Sequence, residues 1–224
     1  CYWGSISANK EVRFNGYFEL AYLHPSRFMP DPSIKNILGV QEGQKYAILR
    51  FVSWTAAHDV GHQGLELTAK RKIVSELSKY VKVFISSEGK IPDDLKSHQI
   101  KIPPEKMHDA LAYSSLYIGE GATMASECAM LGIPAIYVNS LSAGTLEEQE
   151  KYGLLSSFRD SHCALERALE LINLPGLREE WQRRRKKMLS EKIDVTAFIV
   201  WFIENYPASA EIMKANPDYQ QRFR

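Results

Sequence analysis

The chain has 224 residues, 45% hydrophobic and 25% charged, which is enough apolar side chain for a core and excludes a disordered or fibrous protein. A net charge of +1 gives no electrostatic reason to expect nucleic acid or strongly acidic substrates as partners. Three cysteines, Cys1, Cys128 and Cys163, are odd in number and lack metal-ligand spacing, which fits a reducing compartment, with the cytoplasm as the expected location.

The chain starts at Cys1 rather than Met, in mid-pattern, so we expect a natural N-terminus further upstream. Residues 1–34 read as a connection. Val12-Arg13-Phe14 suggests a short strand ending at the Asn15-Gly16 turn, Tyr17 to Leu23 is aromatic enough to pack on something, and Pro25, Pro30 and Pro32 interrupt any regular element. From Ser33 onward strands and helices alternate. Lys45 to Ser53 reads as a strand, Gly64 to Tyr80 as a helix and Val81 to Ser86 as a strand. Gln99 to Ile102 reads as another strand, Pro104 to Ser114 as a helix with proline in its first turn, and Leu116 to Ile118 as the next strand. This order predicts an α/β fold, a doubly wound parallel sheet of five or six strands with helices on both faces. A helix near Thr145 to Tyr152, an edge strand near Leu154 to Phe158 and extra C-terminal helices from Cys163 to Asn205 complete it, followed by a tail over 206–224. No apolar run approaches the roughly 20 residues of a membrane-spanning helix. The basic run Arg183 to Lys187 reads as a solvated helix face, with weak contact to a membrane surface as the alternative.

The chain is organised around Leu116 to Asn139: a strand, the Gly119-Glu120-Gly121 turn, a helix from Ala122 to Leu131 stopped by Gly132, and a second strand opened by Pro134. A glycine turn feeding a helix presents unpaired N–H groups and the positive end of the helix dipole, which together bind anions, phosphate above all. Glu127 lies on the same helix, where a carboxylate can accept hydrogen bonds from sugar hydroxyls beside a phosphate. A second polar stretch, Arg50 to His62, follows the first strand and should open on the same edge of the sheet. Its His58 and His62 are four apart, as in helical zinc sites, but no Glu follows His58 and Gly61 favours a loop, so no metal is expected.

Gly121-Ala122-Thr123-Met124-Ala125-Ser126-Glu127, followed by Leu131-Gly132-Ile133-Pro134, resembles the donor-nucleotide motif of GT-B glycosyltransferases and of the related UDP-N-acetylglucosamine 2-epimerases. The wider chain, from Asn15-Gly16-Tyr17 through Arg50 and His58 to Ile193-Asp194-Val195-Thr196, resembles the branch of that superfamily named domain of unknown function 354, whose members look like polysaccharide-synthesis proteins. The resemblance implies a Rossmann-like GT-B C-terminal domain over residues 35–205, entered through 1–34 from an N-terminal domain absent from this sequence. Gly119, Gly121, Ala122 and Thr123 would then hold a diphosphate, Glu127 the ribose, and Arg50, Thr55 and His58 the donor phosphates or sugar. His58 is the weak catalytic candidate, because the epimerase pattern of a histidine paired with an arginine is not reproduced here. The ligand implied is a nucleotide sugar, UDP-linked by preference, with no metal or other cofactor. Pro103 to Met107 would lie near the nucleotide base. Transferase and epimerase chemistry both stay open, as does a non-catalytic module that binds a nucleotide for regulation or scaffolds an assembly.

Overall fold

A computed structural model describes residues 10–53, 64–141 and 144–224. Two single-turn helices, α1 (Leu20–Leu23) and α2 (Ile34–Ile37), precede β1 (Tyr46–Phe51). Then come α3 (Leu67–Leu77), β2 (Lys82–Ser87), α4 (Met107–Tyr113), β3 (Leu116–Gly119), α5 (Ala122–Leu131) and β4 (Ala135–Val138). The remainder is α6 (Gly144–Lys151), β5 (Leu155–Phe158), α7 (Ser161–Asn173), α8 (Leu177–Glu191), α9 (Val195–Glu204), α10 (Ala208–Ala215) and a closing 3-10 turn, Pro217–Phe223.

The five strands pair only in parallel, in the order β2-β1-β3-β4-β5. Every residue of β3 and β4 is buried, as expected where helices cover both faces of a parallel sheet. Right-handed crossovers put α3 on one face, where it meets α7, and α4, α5 and α6 on the other, where α5 touches both its neighbours. Strand order reverses between β1 and β3, so the carboxyl ends of these two strands flank the switch point at which such sheets open a crevice.

Two strands expected from the sequence do not form. Gln99 makes a lone parallel bridge to Ile85, because a 3-10 segment (Asp93–His98) ends just before it and Pro103-Pro104 follows shortly after. Val12 to Phe14 pairs with no strand; Phe14 instead packs its ring on Phe18 and Phe198. The opening segment docks against the end of the chain: Ile193 donates its amide to the Asn15 carbonyl, and buried Lys192 reaches Asn15 and Glu148. Ala21 accepts from the Thr196 hydroxyl, and Arg27 pairs with Asp194 at 2.7 Å.

The basic run on α8 divides. Arg185 donates to the Met130 carbonyl and Arg184 to Gly153, while Gln182 serves the carbonyls of Leu131 and Gly132. The Arg185 and Gln182 contacts satisfy carbonyls that α5 leaves open at its C-terminus, where Gly132 sits at φ 68°. Only Arg183, Lys186 and Lys187 remain on the solvent side. Among the described residues no helix is long and apolar enough to cross a membrane.

Candidate ligand-binding site

The register sets Arg50 on β1 beside Gly119 on β3, and the Glu120 amide donates to the Arg50 carbonyl, so the two strand ends leave the sheet side by side. Gly121 is the N-cap of α5 in extended conformation, with no side chain among the described residues capping the helix, and Thr123 in its first turn is exposed. The open end of the helix therefore faces outward at the switch point, with the N–H groups of its first turn available to an anion. Val52, just past β1, comes within 3.8 Å of the position a Cβ on Gly121 would take, which puts the ends of β1 and β3 on one edge.

The two glycines of the turn do different work. At Gly119 a Cβ would collide with the Tyr117 ring, 2.5 Å from Cζ, and with the Arg50 Cβ at 2.9 Å, so this glycine exists for close packing. Among the described residues nothing nearer than Val52 approaches Gly121.

Arg50 lies at the site edge with its guanidinium turned to β2, donating to Ser86 at 2.8 Å and Glu88 at 2.7 Å. Ser53 is held to the same Glu88 carboxylate. Thr55, His58 and His62 lie outside the described residues.

Glu127, in the second turn of α5, has a side chain only 11% exposed. One of its oxygens, Oε1, accepts from the Tyr22 hydroxyl and from His108 Nε2, both at 3.0 Å. An ionised carboxylate only accepts, so Nε2 carries the proton in this contact. The Tyr22 and His108 rings lie 5.5 Å apart, with Phe28 edge-on to the imidazole at 6.1 Å. Burial, and then the Glu127 charge, push the Tyr22 phenol well above its ordinary value. Ser126 points elsewhere, accepting from Gln149 of α6. The Glu127 carboxylate is thus mostly covered and already engaged on one side. Pro104–Lys106 forms a 3-10 turn ahead of α4, and Lys106 reaches back to Asp31 and Asp109.

Three side chains at the candidate site escape sequence reasoning. Tyr22 and His108 are 105 and 19 residues from Glu127, with no spacing signal to join them. Glu120, which the sequence presents only as part of a glycine turn, has a fully buried carboxylate that accepts the amides of Val52 (2.9 Å) and Leu65 (2.6 Å) and pairs with Lys70 at 3.1 Å. Its one legible sign is an acidic residue where an all-apolar strand ends. Asn139 supports the same turn by donating to the Glu120 carbonyl.

A separate cleft of about 500 Å³ runs along the same sheet edge on the α3 and α7 side, with Lys72, Asn139, Arg159 and Asp160 in its walls. It includes neither Gly121 nor Glu127, which lie on the α5 side. At the first turn of α7, exposed His162, Cys163 and Glu166 bring potential metal-ligand atoms within 4.8 Å of one another, a grouping that sequence spacing did not suggest.

The fold and the open helix end define a Rossmann-like α/β protein with its candidate site at the sheet switch point. No family model matches the chain, and no curated protein matches it. Solved structures do. A putative UDP-N-acetylglucosamine 2-epimerase from Listeria monocytogenes aligns over 84% of this chain and 51% of its own, at 14% identity and a TM-score of 0.52. The glycosyltransferase SnogD from Streptomyces nogalater aligns over 83% and 54%, at 15% identity and a TM-score of 0.52. The glycosyltransferase VinC, solved in complex with DTDP, aligns over 79% and 44%, at 14% identity and a TM-score of 0.51. At these identities the likeness is one of fold. The chain spans about half the length of these structures.

Proposed function

We propose that this chain is the nucleotide-sugar-binding half of a GT-B-type enzyme, a glycosyltransferase or a UDP-sugar 2-epimerase-like protein, acting in the cytoplasm in surface polysaccharide synthesis. The observation that carries this reading is the uncapped start of α5 at the β1/β3 switch point with Glu127 one turn further along the helix. The fold likeness to an epimerase and to glycosyltransferases, one of them holding DTDP, supports it. Amides of Gly121, Ala122 and Thr123 and the Thr123 hydroxyl bind the diphosphate, with Gly119 shaping the turn behind them. Glu127 takes the ribose. Arg50, Thr55 and His58 serve the donor phosphates or sugar, and Arg50 does so by exchanging Glu88 for the ligand. The helix dipole and basic groups stabilise the departing diphosphate without a metal. Residues 35–205 form the binding domain, and a further domain joins it through 1–34. That domain supplies the base that activates an acceptor. A site completed by a second domain is an open face in one half alone, and the exposed start of α5 at the switch point is such a face.

Calorimetric titration with UDP tests the reading. A charge-assisted hydrogen bond to Glu127 contributes on the order of 1.5–3 kcal/mol, so Glu127→Ala should weaken UDP at least about tenfold. Equal affinities for wild type and variant remove Glu127 from the site.

A further inference from the structure

Building on that reading, we infer that Tyr22 and His108 set the sugar selectivity of the site: by filling one oxygen of Glu127 they leave its carboxylate a single free acceptor, so it takes one sugar hydroxyl and accepts ribose and 2′-deoxyribose diphosphates alike.

A carboxylate that grips a vicinal diol in bidentate fashion presents one oxygen to each hydroxyl. In this protein Oε1 already receives two donors, the Tyr22 hydroxyl and His108 Nε2, which uses both of its in-plane lone pairs. Among the described residues Oε2 has no hydrogen-bond partner. It is not one of the buried side-chain atoms that lack a partner, so it keeps contact with the surface and is the oxygen a ligand can reach.

The arrangement is held from outside the helix that carries Glu127, so it is not a loose rotamer choice. Tyr22 belongs to α1, whose Leu20 and Leu23 are fully buried, and α1 packs on both α5 and α9. The Thr196 bond to Ala21 and the ion pair of Arg27 with Asp194 fasten the same segment. His108 sits on α4 between the Tyr22 and Phe28 rings. Tyr22 is 43% exposed and the His108 side chain 32%, so either donor could turn to water; displacing one for a second hydroxyl only exchanges one charge-assisted bond on Oε1 for another and adds none. With a 2′-deoxy ligand the 3′-hydroxyl remains to bond Oε2, so removing the 2′-hydroxyl removes nothing the site uses. Removing both hydroxyls does.

The experiment is a calorimetric series of UDP, 2′-deoxy-UDP and 2′,3′-dideoxy-UDP on the full chain, wild type and Tyr22→Phe. For wild type the first two ligands should bind within about threefold of each other and the third at least about tenfold more weakly. Tyr22→Phe removes one donor and returns a lone pair to Oε1, so the preference for UDP over 2′-deoxy-UDP should rise to about tenfold. A wild type that already rejects 2′-deoxy-UDP by tenfold or more while Glu127→Ala still weakens UDP overturns the selectivity inference and leaves the donor site standing; so does an unchanged ratio in a folded Tyr22→Phe. If no uridine ligand binds, or Glu127→Ala binds UDP as well as wild type does, the donor-site reading fails and takes this inference with it. The wild-type series decides without any variant, so a Tyr22→Phe protein that does not fold leaves the test intact.

Discussion

Tyr117 fills the space beside Gly119. Its ring lies over the glycine two residues on along β3, with Cζ 2.5 Å from where a Cβ would stand and the hydroxyl closer still. Tyr117 is fully buried, and burial holds its phenol well above the ordinary value, so the ring is packed as a neutral group with nowhere to retreat. Gly119 therefore serves the core before it serves any ligand.

The consequence is measurable. Gly119→Ala must push Tyr117 or the backbone of β1, an overpacking cost of roughly 1–3 kcal/mol. At about 2–4 °C per kcal/mol for a chain of this size, the melting temperature should fall by about 2–12 °C. An unchanged melting temperature means that Tyr117 can move aside and that Gly119 owes its place to something else.

Glu120 makes the complementary case on the other side of the turn. Its buried carboxylate ties Val52 to Leu65 and neutralises Lys70, so Glu120→Ala strands two amides and a cation. Breaking a buried pair costs about 3–5 kcal/mol, which corresponds to a drop on the order of 10 °C in melting temperature. Glu120→Gln keeps one acceptor oxygen and should fall between Ala and wild type. If Gln and wild type melt together, the negative charge is not what holds Lys70 and the turn.

How much of this could be read beforehand follows from the range of the interactions. Strand and helix alternation, the Gly132 stop and the parallel sheet depend on local periodicity, and all are present. Val12 to Phe14 has strand-like residues but finds no strand to pair with, because partner availability is a tertiary matter; aromatic packing on Phe198 decides its course. Gln99 fails as a strand for a local reason, the 3-10 segment and prolines around it. In the site, the open helix end was legible from Gly119 to Thr123, since glycine turns and helix starts are local. The bonds of Tyr22 and His108 to Glu127 join three separate elements, α1, α4 and α5, and left no trace in spacing. Arg50 was legible as polar at a strand end, but its partner Glu88 lies just past the end of the neighbouring strand.

Asp31 gives the chain an acid-sensitive joint. Hydrogen bonds from Ser33, and then Lys106, hold its carboxyl down to about 2. A carboxyl lowered by folding stabilises the native state fully above its unfolded value of about 3.9 and loses that contribution as pH falls toward the folded value. Melting curves of wild type and Asp31→Asn should thus differ most near neutral pH and converge between about pH 4 and pH 2. A gap that persists unchanged to the acid end assigns the difference to the amide's geometry and not to the charge.

The sharpest test of the helix start uses the other glycine. Gly121 has extended backbone angles that any residue can adopt, φ −94° and ψ 123°, and among the described residues a Cβ there would meet only Val52, at 3.8 Å. Neither strain nor crowding accounts for a glycine, and serine is the better N-cap by a few tenths of a kcal/mol. Gly121→Ser should accordingly melt at or slightly above the wild-type temperature, because its hydroxyl can accept from the first-turn amides. Those amides are the groups proposed to hold the diphosphate, so the self-capped helix should bind UDP more weakly, by about tenfold if one charge-assisted bond is lost. Stability and affinity then move apart in Gly121→Ser, whereas Gly119→Ala loses stability first. A Gly121→Ser protein that binds UDP like wild type would show that the diphosphate is held elsewhere than at the start of α5.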